Sequence, residues 1–198
     1  MARRYALIII DMLNDFVNGK LKCERALPMI PRMQKLIKSA RAAGIPVIYC
    51  NDAHLPVDNE LKIWGPHAMA GTHEAEVISE LKPEKGDYQI PKRTYSSFHE
   101  TGLDILLRDL YDGQGANTII VAGLHTHICA RHTSADAHFR GYDVVLAEDC
   151  CESFTEADHK AGLEYIKTMY KAELKKADEL IAEFENMTAS AKPRPSSA

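Results

Sequence analysis

Two short apolar runs constrain the fold more than any other feature of the chain. Residues 5–10 read YALIII and stop at Asp11, and residues 117–123 read NTIIVAG. Both are rich in β-branched residues and neither alternates with polar positions, so each predicts a strand buried on both faces, the habit of a parallel sheet covered by helices. The intervening segments agree. Residues 30–43 place Ile30, Met33, Leu36, Ile37 and Ala40 at helical spacing before Gly44, which suits the left-handed position past a helix end. Further strands are predicted over 46–50, 88–91 and 142–147, and further helices over 74–81, 102–110, 128–140 and 156–169. Strands alternating with helices at this spacing imply βαβ units: an α/β, Rossmann-like architecture of three layers, α/β/α, around a mainly parallel sheet. In such sheets ligands bind beyond the carboxyl ends of the strands. Asp11, Asp52 with His54, the segment after Pro91, and Cys129 all follow strand ends. They are therefore expected in one region.

At 198 residues the chain suits one domain, expected over 1–187, with a flexible tail from 188 whose end reads ASAKPRPSSA. A net charge of -4 argues against a surface that tracks phosphates, so nucleic acid is not an expected partner. The first apolar run is too short for a membrane span or a signal-peptide core, and five cysteines without a framework spacing suit a reducing compartment. The expectation is a cytoplasmic protein away from membranes. Cys150 and Cys151 read as two packed thiols at a strand end.

Cys129 stands out among the thiols because the strand 117–122 turns abruptly into a helix beside it. Most free cysteines are small buried hydrophobes. One at a helix N-terminus, however, meets unpaired N–H groups that favour thiolate and can hold the oxyanion formed when sulfur attacks a carbonyl. Such a nucleophile needs a base. Asp11 is the first candidate, against its ordinary role as a turn former, and Lys92 would favour the ionised site by charge pairing. His127, two residues before the thiol, is a weaker candidate because its ring need not face the sulfur.

Asp52 and His54, one residue apart at a strand end, can point into one cleft. A third ligand from the following Gly-, Pro- and His-rich segment, either His67 or His73, would complete a metal set with open positions.

Together, ALIIIDMLNDFVNGKL, VIYCNDAH with IWGPHAMAGT, YQIPKRTYSSFHETGLDILLR and VAGLHTHICARHTSADAHFRGYDVV resemble the isochorismatase-like cysteine hydrolases, most closely the nicotinamidase branch. The resemblance covers roughly residues 5–186, and the order Asp, Asp-x-His, His, Lys, Cys is highly specific. It implies a catalytic triad of Asp11, Lys92 and Cys129. It implies an oxyanion hole from the backbone N–H groups of His125 and Cys129, with a cis peptide between Leu124 and His125. Asp52, His54 and His67 would hold a divalent metal, commonly zinc, and Phe16, Trp64 and Tyr95 would contact the substrate ring. The implied reaction is hydrolysis of a small aromatic amide such as nicotinamide to the acid and ammonia, by a homo-oligomer of two or more subunits. A metal-independent hydrolase of the same fold and a non-catalytic module are the alternatives, and a redox sensor lacks a resolving cysteine at suitable spacing. Thr126-His127 departs from the Thr-Asp usual in relatives, which predicts altered supporting contacts. Periodicity alone would continue the last long helix through 170–184. The resemblance instead implies a sixth strand over 172–175 and a new helix near Ala177.

Overall fold

The computed structural model describes residues 2–191. Its centre is a six-stranded, all-parallel sheet in the order β3-β2-β1-β4-β5-β6. The strands are β1 (Tyr5–Ile10), β2 (Val47–Asp52), β3 (Tyr88–Lys92), β4 (Thr118–Leu124), β5 (Asp143–Glu152) and β6 (Glu173–Lys175). Every residue of β1 and β4 is buried, as their uninterrupted apolar sequences require. Side chains alternate between faces. Leu7 and Ile9 of β1 pack with Met33, Leu36 and Ile37 of α2 (Ile30–Ala42) and with Leu180 and Phe184 of α7 (Ala177–Ala191). Ala6, Ile8 and Ile10 pack on the other face with Leu103 and Leu107 of α4 (Leu103–Asp109), Ala137 of α5 (Arg131–Phe139) and Ile166 of α6 (Glu156–Tyr170). Two short helices, α1 (Asn14–Val17) and α3 (Leu61–Trp64), lie in the loops after β1 and β2.

The strand order reverses between β1 and β4: the chain steps outward through β2 and β3, returns to β4 beside β1, and steps out the other way. A crevice at the carboxyl ends of β1 and β4 follows from that reversal. The two strands approach there through Gly123, paired with Ile10 at φ +114°.

Three local expectations are corrected. Residues 74–81 are not a helix but two short 3-10 turns, His73–Ala75 and Ser79–Leu81. Val77 between them bridges antiparallel to Leu13, with Asn14 N–H donating to the Glu76 carbonyl at 3.0 Å and Ile78 N–H to that of Met12 at 3.0 Å. The backbone groups a helix would use are committed to that pairing. β5 runs on through Cys150 and Cys151, which are buried on opposite faces of the sheet. The helix expected from residue 128 is preceded by a π-helical turn, Thr126–Ala130, that contains Cys129.

At the C-terminal end, α6 stops at Tyr170, Lys171 adopts φ +52°, and Glu173, Leu174 and Lys175 pair with Val145, Leu146 and Ala147 of β5. A parallel ladder with an open strand edge overrides the helical spacing read over 170–184. α7 reaches Ala191, into the stretch expected as a tail, and residues 192–198 lie outside the described residues.

Candidate active site

Asp11 follows β1 directly, at φ +53°, and is 1% exposed. Its Oδ1 accepts the Asp52 backbone N–H at 2.8 Å, which fixes the carboxylate across the β1–β2 gap. Its Oδ2 lies 2.8 Å from Nζ of Lys92, the last residue of β3. That ammonium, also buried, donates to Asp52 Oδ1 at 2.6 Å and reaches Cys129 Sγ at 3.7 Å. Three strand ends and one turn thus converge on a single charged knot.

Burial sets the electrostatics, and the charges modify it. Burial, reinforced by Asp52, pushes the Asp11 carboxyl up to about 6, even against Lys92. Lys92 is raised despite burial, because Asp11 and Asp52 both face it. Burial likewise pushes the Cys129 thiol up, and Asp11 and Asp52 add to this while Lys92 opposes them. The thiolate preference expected from a helix start is therefore outweighed at rest. The arrangement is a neutral thiol beside a carboxylate that can accept its proton near neutral pH.

A second group lies alongside. Asp52, His54, Glu60 and His67 are all buried, and each brings one ligand atom within 4.8 Å of the others. His67 comes close because the loop carrying it docks on the end of β2: His54 bridges parallel to Met69, and His54 N–H donates to the Ala68 carbonyl at 3.0 Å. Asp15 of α1 secures the same loop by accepting the Ala68 N–H at 2.8 Å. Each imidazole has an acceptor on Nδ1: an Asp58 oxygen at 3.1 Å for His54 and the Gly65 carbonyl at 2.8 Å for His67. Donating from Nδ1 leaves the Nε2 lone pair free as a ligand. His54 Nε2 is buried without a hydrogen-bond partner. Two imidazoles whose Nε2 atoms turn toward each other's neighbourhood and two carboxylates form a donor set that fits a divalent cation of the zinc type. Glu60, which burial and then Asp52 push up to about 7, is the member that sequence spacing missed. His73 is exposed on Asn14 and Glu76 and takes no part.

Between the two groups lies a narrow pocket walled by Phe16, Trp64, Tyr95, His125, Ile128 and Phe154, with Cys129, Asp52 and His67 also on its surface. The three ring-contacting residues implied by resemblance all reach it. Trp64 Nε1 donates to the Tyr95 hydroxyl at 3.1 Å. Phe154, which nothing in the sequence singled out, stacks on His125 at 4.0 Å between ring centroids.

The peptide between Leu124 and His125 is cis. It and the π-helical turn bring the backbone of His125 and of Cys129 to the end of β4. The turn is held from behind: Thr126 Oγ1 pairs with His159 Nδ1 at 2.8 Å and His127 Nδ1 with Ser153 Oγ at 2.9 Å. His127 is thus a support of the turn, facing Ser153.

Comparison with known proteins agrees with this fold. The isochorismatase domain model matches residues 5–178. A crystal structure of N-carbamoylsarcosine amidase from Thermoplasma acidophilum superposes with a TM-score of 0.82 at 38% identity, covering 88% of this chain and 97% of that one. The nicotinamidase of Bacillus subtilis gives a TM-score of 0.79 at 30% identity, with coverage of 86% and 98%. The ureidoacrylate amidohydrolase of Acinetobacter baylyi is 29% identical, covering 83% of this chain and 78% of its own length.

Proposed function

Because this chain belongs to the isochorismatase family, as an isochorismatase-family hydrolase, we propose that it is a nicotinamidase-type amidohydrolase, cleaving a small aromatic carboxamide such as nicotinamide to the carboxylic acid and ammonia. The observation that carries the reading is the juxtaposition, in one aromatic-walled pocket, of the Cys129 thiol with its Asp11 and Lys92 partners and a cation-fitting set whose His54 Nε2 is unpartnered. A plain thiol amidase needs only the first.

Asp11 takes the Sγ proton as sulfur adds to the amide carbonyl carbon, and the backbone N–H groups of His125 and Cys129 hold the oxyanion. Lys92, which faces both groups, keeps the site's negative charge stabilised as the proton passes from sulfur to the carboxylate. Asp11 then gives its proton to the amide nitrogen, the C–N bond breaks, and ammonia leaves a thioester on Cys129. Water deprotonated by the same carboxylate attacks the thioester, the C–S bond breaks, and the proton returns to sulfur. One group serves as base and acid in turn, a role suited to a carboxyl pushed up to about 6. Asp52, His54, His67 and Glu60 would hold the divalent metal, which when bound supplies a Lewis-acidic point that fixes a pyridine-type nitrogen. Phe16, Trp64, Tyr95 and Phe154 enclose the ring and exclude water from the reacting carbonyl.

The test is ammonia release from nicotinamide by the purified protein, with metal content measured alongside. Cys129→Ala should abolish release while leaving the fold intact. Undiminished release by that variant would overturn the mechanism, and full activity in metal-free protein would favour a metal-independent amidase.

A further inference from the structure

Lys92 is carried to the site by the edge of the sheet. β1, β2 and β4 each pair with a strand on both sides, whereas β3 pairs with β2 alone, and four of its five residues are exposed or half-buried. An edge strand leaves one row of backbone groups unpaired, so its end is held by the ladder from one side only. Through the sheet, the position of Lys92 relative to Cys129 is set by way of β2, β1 and β4 in series. The ammonium nevertheless lies 3.7 Å from Cys129 Sγ.

The chain after β3 has a second fastening, on α5, the helix that continues from the turn bearing Cys129. Thr133 Oγ1 accepts the Ser97 backbone N–H at 3.0 Å and donates to Ser97 Oγ at 3.0 Å. Ser96 Oγ donates to Asp136 Oδ2, and the Tyr95 ring packs on His132 with centroids 5.3 Å apart. Residues 95, 96 and 97 thus meet His132, Asp136 and Thr133, whose spacing puts them on one side of the helix.

Thr133 and Ser97 are fully buried. Apolar side chains would fill that space with no polar atom to satisfy, whereas a reciprocal pair of hydrogen bonds fixes direction as well as contact. The segment so fixed reaches the ammonium itself, because Lys92 Nζ donates to the Thr94 carbonyl at 3.3 Å. Asp11 and Asp52 draw the same ammonium toward β1 and β2. The bonds to α5 tie its carrier to that of the sulfur.

We propose that Thr133 is a positioning residue that acts through Lys92: its two hydrogen bonds to Ser97 hold the chain after β3 so that the Lys92 charge stays within reach of the Cys129 sulfur. Of the amidohydrolase reading above, this role rests only on Lys92 and Cys129, and it holds for any acyl substrate of that thiol.

Alkylation of Cys129 by iodoacetamide, a neutral electrophile, reads that charge without a substrate, since thiolate is the reacting form and Lys92 favours it. The rate constant is measured at one fixed pH for the wild type, Thr133→Val, Thr133→Ser and Ser97→Ala, with the modified residue identified by peptide mass mapping. Release of ammonia from nicotinamide and Tm are recorded on the same preparations. Thr133→Val removes both bonds at nearly constant volume and should slow alkylation about tenfold and lower kcat by about 10–10²-fold. Thr133→Ser keeps the hydroxyl and should recover most of both. Ser97→Ala keeps the amide bond but loses the hydroxyl, so it should give a smaller loss in the same direction, and it carries the test if the valine variant does not fold. A merely structural role predicts the opposite sign, because a loosened site exposes the thiol and speeds its alkylation. Faster or unchanged alkylation in Thr133→Val, or a serine variant no better than the valine one, overturns the role of Thr133 while leaving the amidohydrolase reading standing. A wild type that releases no ammonia from nicotinamide overturns that substrate reading, and the alkylation rates still decide the role of Thr133.

Discussion

Gly162 on α6 lies against the backbone of His127, so closely that a Cβ there would stand 2.9 Å from the His127 amide nitrogen and 3.0 Å from its Cα. The helix therefore serves as a backstop for the turn that carries Cys129. Gly162→Ala must push that turn toward the pocket or bend α6 away. Overpacking of this kind costs about 1–3 kcal/mol, a fall in Tm of roughly 2–12 °C for a chain of this size. Displacing an oxyanion donor costs kcat about 10²-fold. Melting curves and kcat measured together check it, and a variant with unchanged kcat would show that the turn is not held by this contact.

Activity should fall in acid with an inflection set by Asp11. Burial and Asp52 push its carboxyl up to about 6, and the mechanism needs the ionised form. Below that pH the base is protonated, and kcat/KM should drop about tenfold per pH unit. The Cys129 thiol, held protonated by burial, adds no inflection of its own near neutrality. Asp11→Asn should lower kcat by about 10²–10⁴-fold and abolish the acid limb of the profile. A pH-independent rate from about pH 5 to 8 would rule Asp11 out as the base.

Lys92→Met should destabilise the fold by about 3–5 kcal/mol, because it leaves Asp11 and Asp52 facing each other in a buried site without their cation. The sign with pH follows from the carboxyl groups. Without Lys92 their folded pKa values rise above the unfolded ones, so the deficit is small in acid, where both are protonated, and grows as pH rises through those values. Denaturant titrations at two pH values measure it, and a deficit that shrinks toward high pH would contradict the charge argument.

Asp58 supports the cation-fitting set without belonging to it. It accepts from His54 Nδ1 and is held in turn by Arg93, which donates from Nε at 3.0 Å. Asp58→Asn should weaken metal affinity about 10–100-fold by releasing the ring orientation and its tautomer. Metal titration of chelator-treated protein reads this directly. An unchanged affinity would mean that His54 is not a ligand.

The sheet was legible because its central strands are buried on both faces, which leaves continuous apolar sequences at residues 5–10 and 117–123 that no helix or loop imitates at that length. The Asp-x-His pair was legible because residues 52 and 54 are fixed together by one strand end. Glu60, Asp15 and Phe154 were not. Each is an ordinary residue for its local sequence and gains its place only from what packs against it across the chain. The segment 74–81 misled for a related reason: its helical spacing is real, but Val77 and its neighbours satisfy their backbone on the residues after β1.

By itself the sequence determined the alternation of strands and helices, the strand ends that carry Asp11, Asp52, Lys92 and Cys129, and the local spacing of His54 with Asp52. Those features are encoded by neighbours in the chain, through periodicity and turn chemistry. Only the tertiary structure decided the electrostatics of the site, the burial of His67 beside Asp52 and His54, the pairing of His127 with Ser153, and the unpartnered nitrogen of His125. Burial and long-range packing set these, because a charge or a ring changes its chemistry according to what surrounds it, and its surroundings come from residues far away in sequence.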